Sequence, residues 1–359
     1  PKPSSAASDV YKRQMLNCAI HGAQDLRLDE QLPEPLAPTQ VRVGVKAVGI
    51  CGSDLHYYRH GKVGDFVIRE PLTPGHEASG QVLEVGAAVT AVRPGDRVAL
   101  DPARTCGVCR YCRQGDSNHC EAVFFFGSAS RYPHMQGAMR EQVVVQEKQC
   151  LPVPDSLSFE LAAFGEPLAV ALHAVHSAGS LLGKTVMVVG AGPIGALILM
   201  AARLAGASQA IAVDIVDETL ATCARVGATR TINAARDPAA IEDLAAGKGS
   251  VDVCFEASGN YAGLANCIRA TRPRGVIVTV GTLSGSSEQC PFNQIMVKSL
   301  SVIGSFRFVD EYAWAVDYLS RGVLDVSPLL TAAVPVARVH DAFALAADRH
   351  QAMKVMVTF

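Results

Sequence analysis

Dense blocks of lysine and arginine are missing from this 359-residue chain, whose formal net charge is -2. A nucleic-acid surface or an anionic membrane needs such a block as its counterpart, so neither partner is expected. Charged residues are few, at 18%, and aromatics fewer, at 6% with a single tryptophan, while apolar residues reach 49%. That is an ordinary globular balance, and the length allows two domains, each with its own core.

An uninterrupted apolar span is also lacking. A charge-free stretch runs from Thr185 to Ala202, but three glycines and a proline break it after its first five residues. It reads as strand, tight turn and buried helix, not as a membrane span. The opening "PKPSSAASDVYKRQ" has no apolar core and is not a signal peptide; residues 1–14 are expected to be a non-native tail, with Met15 the natural start. Eleven cysteines, an odd number without a secretory leader, disfavour a disulfide framework and favour a reducing, cytoplasmic setting.

What is present falls into two textures. "QVRVGVKAV" (40–48) alternates apolar and polar residues, as a half-buried antiparallel strand does; "SGQVLEVG" (79–86) and "EQVVVQ" (141–146) are similar, and "RPGDRVAL" (93–100) is a turn feeding a strand. After Gly165 come short, nearly all-apolar strands, "KTVMVVG", "QAIAVD", "VDVCFEA" and "GVIVTVG", with helical stretches between them. Buried strands alternating with helices predict βαβ units and a doubly wound parallel sheet, so the fold class is α/β with a β-rich first part. The tail resumes helical spacing at "EYAWAVDYLSRGV" and closes with "KVMVTF".

"TCGVCRYCRQGDSNHC" places Cys106, Cys109, Cys112 and Cys120 in one short loop. Four thiolates at these spacings suit tetrahedral zinc. The run is also compatible with an iron–sulfur cluster, but it has no Cys-Pro ending and no second run, so zinc is favoured. An all-cysteine shell leaves no place for substrate, which makes this a structural site.

"VMVVGAGPIGALILMAARLAGASQAIAVD" sets Gly190, Gly192 and Gly195 in G-x-G-x-x-G between a predicted strand and a predicted helix, with Asp214 closing the next strand 19 residues later. Gly190 allows the tight turn, Gly192 lets the backbone approach a pyrophosphate, and Gly195 lets helix and strand pack closely. Asp214 is suited to both ribose hydroxyls of NAD and repels a 2′-phosphate; no arginine directly follows it, so NAD is expected over NADP. A second constellation, "GICGSDLHYYRHGK" with "PLTPGHEASG", carries Cys51, Ser53, His56, His76 and Glu77, a set able to leave zinc with an open position.

With "GICGSDLHYY", "GHEASG", "RTCGVCRYC", "FFFGSASRYPHMQGA", "EPLAVALHA", "GAGPIG" and "GSFRF" in this order, the chain from Met15 onward resembles the zinc-dependent medium-chain dehydrogenase/reductase family, in its polyol dehydrogenase branch. The resemblance implies a GroES-like catalytic domain (15–165 with 312–359) and a Rossmann NAD-binding domain (166–311). It implies two zincs per subunit, one structural and one catalytic. The catalytic zinc would be held by Cys51 and His76, with Glu77 and Glu166 at or beside the metal, directly or through water. Ser53 and His56 would carry the proton outward. Cofactor contacts are implied at Ile194, Val280, Gly281, Thr282, Ser305, Phe306 and Arg307, and substrate contacts at Tyr57, Glu166 and Arg307. Phe308 departs from a tyrosine found in some of the branch. The implied substrate is a secondary alcohol of a sugar acid or polyol: L-idonate going to 5-keto-D-gluconate, or alternatively sorbitol or xylitol. A homodimer or homotetramer is implied. The competing reading, a non-catalytic zinc-stapled interaction protein, would lack Cys51, Ser53 or His76, and all three are present.

Overall fold

The computed structural model describes residues 14–283 and 290–359; the expected tail, apart from Gln14, lies outside them. The expected β-rich and doubly wound parts are both there, each built on its own sheet.

The first sheet runs in the order Cys150–Pro152, Arg97–Leu100, Glu77–Val85, Gln40–Gly49, Lys354–Thr358, Leu330–Pro335, with Gln142–Gln146 also pairing Gln40–Gly49. The strand Gln40–Gly49 departs from its sequence pattern. Alternation predicts one wet face, yet only Gln40 and Lys46 are not buried. It is hemmed in by antiparallel neighbours on both edges. Arg42 is accommodated there because its guanidinium donates to Glu84 Oε2 at 3.0 Å and to the Glu34 carbonyl at 2.9 Å. An antiparallel hairpin, Met15–Gly22 with Asp25–Gln31, precedes the sheet. Sequence patterning did not single it out.

The second sheet has six parallel strands: Thr185–Val189, Gln209–Asp214, Arg230–Asn233, Val251–Glu256, Thr271–Thr279 and Ser301–Gly304. Numbered in chain order, they lie 3-2-1-4-5-6. The order reverses between Thr185–Val189 and Val251–Glu256, and ligands bind outside the carboxyl ends of strands at such a switch. Thr185–Val189 leads through the glycine turn into helix Pro193–Leu204, which begins on proline and buries eight residues. Proline is tolerated there because the first helical N–H has no partner to lose.

The C-terminal segment ties the two sheets together. Helix Glu311–Ser320 packs on helix Gly165–Ser177, and strand Lys354–Thr358 then enters the first sheet against Gln40–Gly49. Residues from both sheets share one apolar cluster that includes Ala47, Phe164, Val188, Phe255 and Tyr312. Among the described residues no helix is long and apolar enough to cross a membrane.

Candidate active site

Cys51 is the N-cap of helix Gly52–His60, with extended backbone at φ -93°. Its N–H donates to Asp54 Oδ2 at 3.0 Å, and the other oxygen of that fully buried carboxylate accepts from Gly75 N–H at 3.1 Å. Gly75 has φ +91°, and a Cβ there would stand 2.6 Å from Val48 Cγ1. The next residue, His76, has Nδ1 3.9 Å from Asp54 Oδ1. One sequestered carboxylate thus registers the Cys51 segment against the His76 segment.

The donor atoms of Cys51, His76 and Glu77 all lie within 4.8 Å of one another, His76 and Glu77 buried and Cys51 partly open. Burial alone would lower the His76 pKa, but Cys51, Asp54 and Glu166 outweigh it and hold the imidazole well above its ordinary value. A sulfur, an imidazole and a carboxylate fit three corners of a tetrahedral zinc and leave the fourth for substrate. Glu166, at the start of helix Gly165–Ser177, is buried beside this trio without being part of it. Burial pushes its carboxyl up to about 7; Glu77 adds to the rise, while His76, Lys354 and Arg307 oppose it.

Lys354 completes the surroundings. Its Nζ lies 2.7 Å from each oxygen of Glu77 and 3.3 Å from the Ile50 carbonyl, in a pair that is 3% and 1% exposed. On the same helix as Cys51, Ser53 is half-buried and His56 exposed, its ring 5.7 Å from His60. Partial burial, then His60 and Arg59, lower the His56 pKa, favouring the neutral ring that accepts a proton. Tyr57 is buried, and its hydroxyl accepts from Ala129 N–H at 3.0 Å, leaving its own O–H to donate. The Arg307 guanidinium lies 4.1 Å from the Phe125 ring centre and 4.8 Å from that of Phe306. Phe308 is buried against Tyr312.

The dinucleotide turn opens onto the same space. A cavity of about 240 Å³ is lined by Cys51 and Glu77 on one side and by Gly192, Ile194 and Gly195 on the other. Gly190 has φ +97°, and a Cβ on it would meet Ser258 N at 2.5 Å; one on Gly195 would collide with the Gly190 carbonyl. A Cβ on Gly192 would meet nothing within 4 Å, so the backbone there faces open space of the kind a pyrophosphate fills. Val280 and Gly281 donate to the Glu256 carbonyl, and Ser305 N–H donates to Thr279, so these segments, with Thr282, lie past the ends of adjacent parallel strands.

The four lobe cysteines converge separately, with all donor atoms within 4.8 Å. Cys106 and Cys109 sulfurs stand 4.0 and 3.5 Å from that of Cys112, against about 3.8 Å for sulfurs bonded tetrahedrally to zinc at about 2.3 Å. Backbone N–H groups point at the sulfurs: Cys109 N at Cys106, and Cys106 N and Ala122 N at Cys120, each at 3.3 Å. Donors from Cys112 and Glu121 lower the Cys109 thiol to about 6, favouring the thiolate that binds metal.

The lobe also touches the segment that carries Arg307. Asn118, buried, donates from Nδ2 to the Phe306 carbonyl at 2.8 Å, and the His119 ring stacks on Phe306 at 5.9 Å. Arg307, next along, has φ +57°. Asn118→Ala is expected to raise KM for the alcohol about 5-fold with little change in kcat, since it loosens Arg307 by one hydrogen bond worth about 1 kcal/mol. A lower Tm at constant KM would reduce the lobe to a staple.

Three residues here were not reached from sequence: Asp54, Asn118 and Lys354. Only Lys354 had a signal, as the lone charge heading the apolar run "KVMVTF".

Comparison with known proteins agrees with this geometry. Residues 37–155 match the alcohol dehydrogenase GroES-like domain, and residues 193–321 match the zinc-binding dehydrogenase family. L-idonate 5-dehydrogenase (NAD(P)(+)) of Escherichia coli is 38% identical, over 96% of this chain and 98% of that protein. Sorbitol dehydrogenase of Bacillus subtilis is 33% identical, over 96% and 97%. The crystal structure of the Escherichia coli L-idonate 5-dehydrogenase superposes with a TM-score of 0.92, at 37% identity, covering 97% of this chain and 99% of that one. On fold, motifs and full-length similarity, the chain belongs to the zinc-dependent alcohol and polyol dehydrogenase family, among its polyol and sugar-acid dehydrogenases.

Proposed function

We propose that the chain oxidises a secondary alcohol of a sugar acid, L-idonate to 5-keto-D-gluconate, with NAD as acceptor and two zincs per subunit. The observation that carries the substrate is Arg307. Its guanidinium lies between Phe125 and Phe306, and among the described residues no carboxylate comes within ion-pair distance of it. Burial lowers its pKa, with Glu166 and Tyr57 opposing. A partly desolvated guanidinium without a fixed anion suits a substrate carboxylate, in a charge-assisted and geometrically selective contact.

Cys51, His76 and Glu77 would hold the catalytic metal, with Glu166 beside it directly or through water; Cys106, Cys109, Cys112 and Cys120 would hold the structural one. Gly190, Gly192, Ile194, Gly195, Asp214, Val280, Gly281, Thr282, Ser305 and Phe306 would line the dinucleotide. The metal, when bound, supplies Lewis acidity to the substrate hydroxyl, and the dinucleotide supplies the two-electron acceptor. Ser53 accepts the hydroxyl proton while giving up its own, and His56, exposed one helical turn on, takes up the relayed proton and releases it to solvent. Tyr57 donates toward the sugar chain. The two sheets support a division into 15–165 with 312–359 and 166–311. The half-exposed edge strand Ser301–Gly304 supports a homodimer or homotetramer joined through it, and the unpaired cysteines suit a cytoplasmic setting.

Arg307→Ala tests the reading. It is expected to lower kcat/KM for L-idonate about 100-fold, and for sorbitol by a few-fold at most, the difference being one charge-assisted contact. Equal losses on both substrates, or a wild type that prefers sorbitol, would return the choice to a neutral polyol, the substrate named for the Bacillus subtilis relative.

A further inference from the structure

No arginine follows Asp214 in sequence, but the fold brings one there. Arg349, from the segment between helix Val339–Ala346 and strand Lys354–Thr358, donates from Nη2 to Asp214 Oδ2 at 2.5 Å. The same oxygen accepts from Ala191 N–H at 2.6 Å, and Oδ1 accepts from Ile215 and Val216 N–H at 2.7 and 3.2 Å. The carboxylate that NAD needs for its ribose diol is therefore already fully engaged, and its charge is matched by a guanidinium.

Two cavities meet at Arg349. Arg349 and Thr219 line the cleft that runs from Cys51 to the glycine turn. They also line a second hollow of about 340 Å³, whose charged or titratable walls are Glu218, Arg225, Arg349 and His350. Glu218, the one acidic side chain among them, has its carboxylate 3.1 Å from His350 Nδ1. The hollow thus adjoins the arginine that holds the ribose carboxylate, and it sets two arginines, Arg225 and Arg349, against one carboxylate, Glu218. A bare Asp214 repels a 2′-phosphate; one paired to an arginine does not, and that arginine offers the planar donor fork that matches phosphate oxygens.

We propose that Arg349 is the cofactor-discriminating residue: it neutralises Asp214 and binds the 2′-phosphate of NADP, so that the chain accepts NADP beside NAD. This rests on Asp214 being the ribose carboxylate, as read above. With NAD, the ribose diol shares Asp214 with the guanidinium; with NADP, Arg349 keeps Nη2 on Asp214 and turns its remaining N–H groups to the phosphate.

The test is equilibrium binding of NADPH and NADH to the zinc-loaded protein, followed by nicotinamide fluorescence, for wild type, Arg349→Ala, Arg349→Lys and Asp214→Ala. Arg349→Ala should lower the affinity for NADPH relative to NADH about 10- to 100-fold, the size of a charge-assisted contact, and Arg349→Lys should recover part of it. Equal weakening of both cofactors would overturn the proposal and make Arg349 a strut between the C-terminal segment and the nucleotide sheet. A wild type that binds NADPH no better than a hundredth as well as NADH would overturn it too. If Asp214→Ala leaves NADH affinity where it was, the ribose assignment itself fails, and that failure is visible without reference to Arg349.

Discussion

Cys51→Ala is expected to lower kcat/KM for alcohol oxidation by about three orders of magnitude and to reduce the zinc content from the two per chain proposed for the wild type to one. Three donors converge within 4.8 Å beside the cleft, and Cys51 is the one partly open to it. Losing the sulfur removes one of the three donors, and Asp54 cannot take its place because it is spent on the backbone N–H groups of Cys51 and Gly75. A bound metal is worth several kcal/mol of transition-state stabilisation, and about 1.4 kcal/mol is tenfold in rate, so a thousandfold loss follows. The lobe is built from other residues and should keep its proposed metal. Metal analysis on desalted protein, with steady-state kinetics on the same sample, checks both halves. A variant that retained two zincs and full turnover would place the catalytic metal elsewhere.

Lys354→Met should be the most destabilising single change at the site. The lysine and Glu77 are almost wholly buried, and Nζ reaches both carboxylate oxygens. Burial opposes the ammonium, but Glu77 and then Cys51 outweigh it and raise its pKa. Removing one partner of such a pair leaves an uncompensated buried charge, at a cost of about 3–5 kcal/mol. At roughly 2–4 °C per kcal/mol in large domains, the Tm falls by the order of 10 °C. The loss should be larger in chelated protein, because a zinc held beside Glu77, as proposed, would supply the positive charge that lysine no longer does. The double variant Glu77→Gln with Lys354→Met should regain most of the stability. A double variant as unstable as the single one would show that packing, not charge, is what Lys354 provides.

The parallel sheet was legible because its strands are apolar on both faces and its glycine turn, Gly190 to Gly195, obeys steric rules that act over six residues. The four-cysteine lobe was legible because its donors lie within fifteen residues of one another. Strand Gln40–Gly49 was misjudged on one point: local alternation speaks of one wet face, while burial depends on neighbours up to about 300 residues away. The second donor set was visible only as fragments until Gly75 and Asp54 were seen to lock them together.

Local chemistry by itself therefore determined the element types, the dinucleotide turn, the closed cysteine shell and the family. Each depends on spacing along the chain, and short-range sterics and donor identity are written in spacing. Only the tertiary structure decided which charges meet. Lys354 reaches Glu77 and Arg349 reaches Asp214 because the C-terminal strand returns to the first sheet and carries its preceding loop across the nucleotide cleft. Electrostatic partnership depends on distance through space, and the closing of the sheet sets that distance.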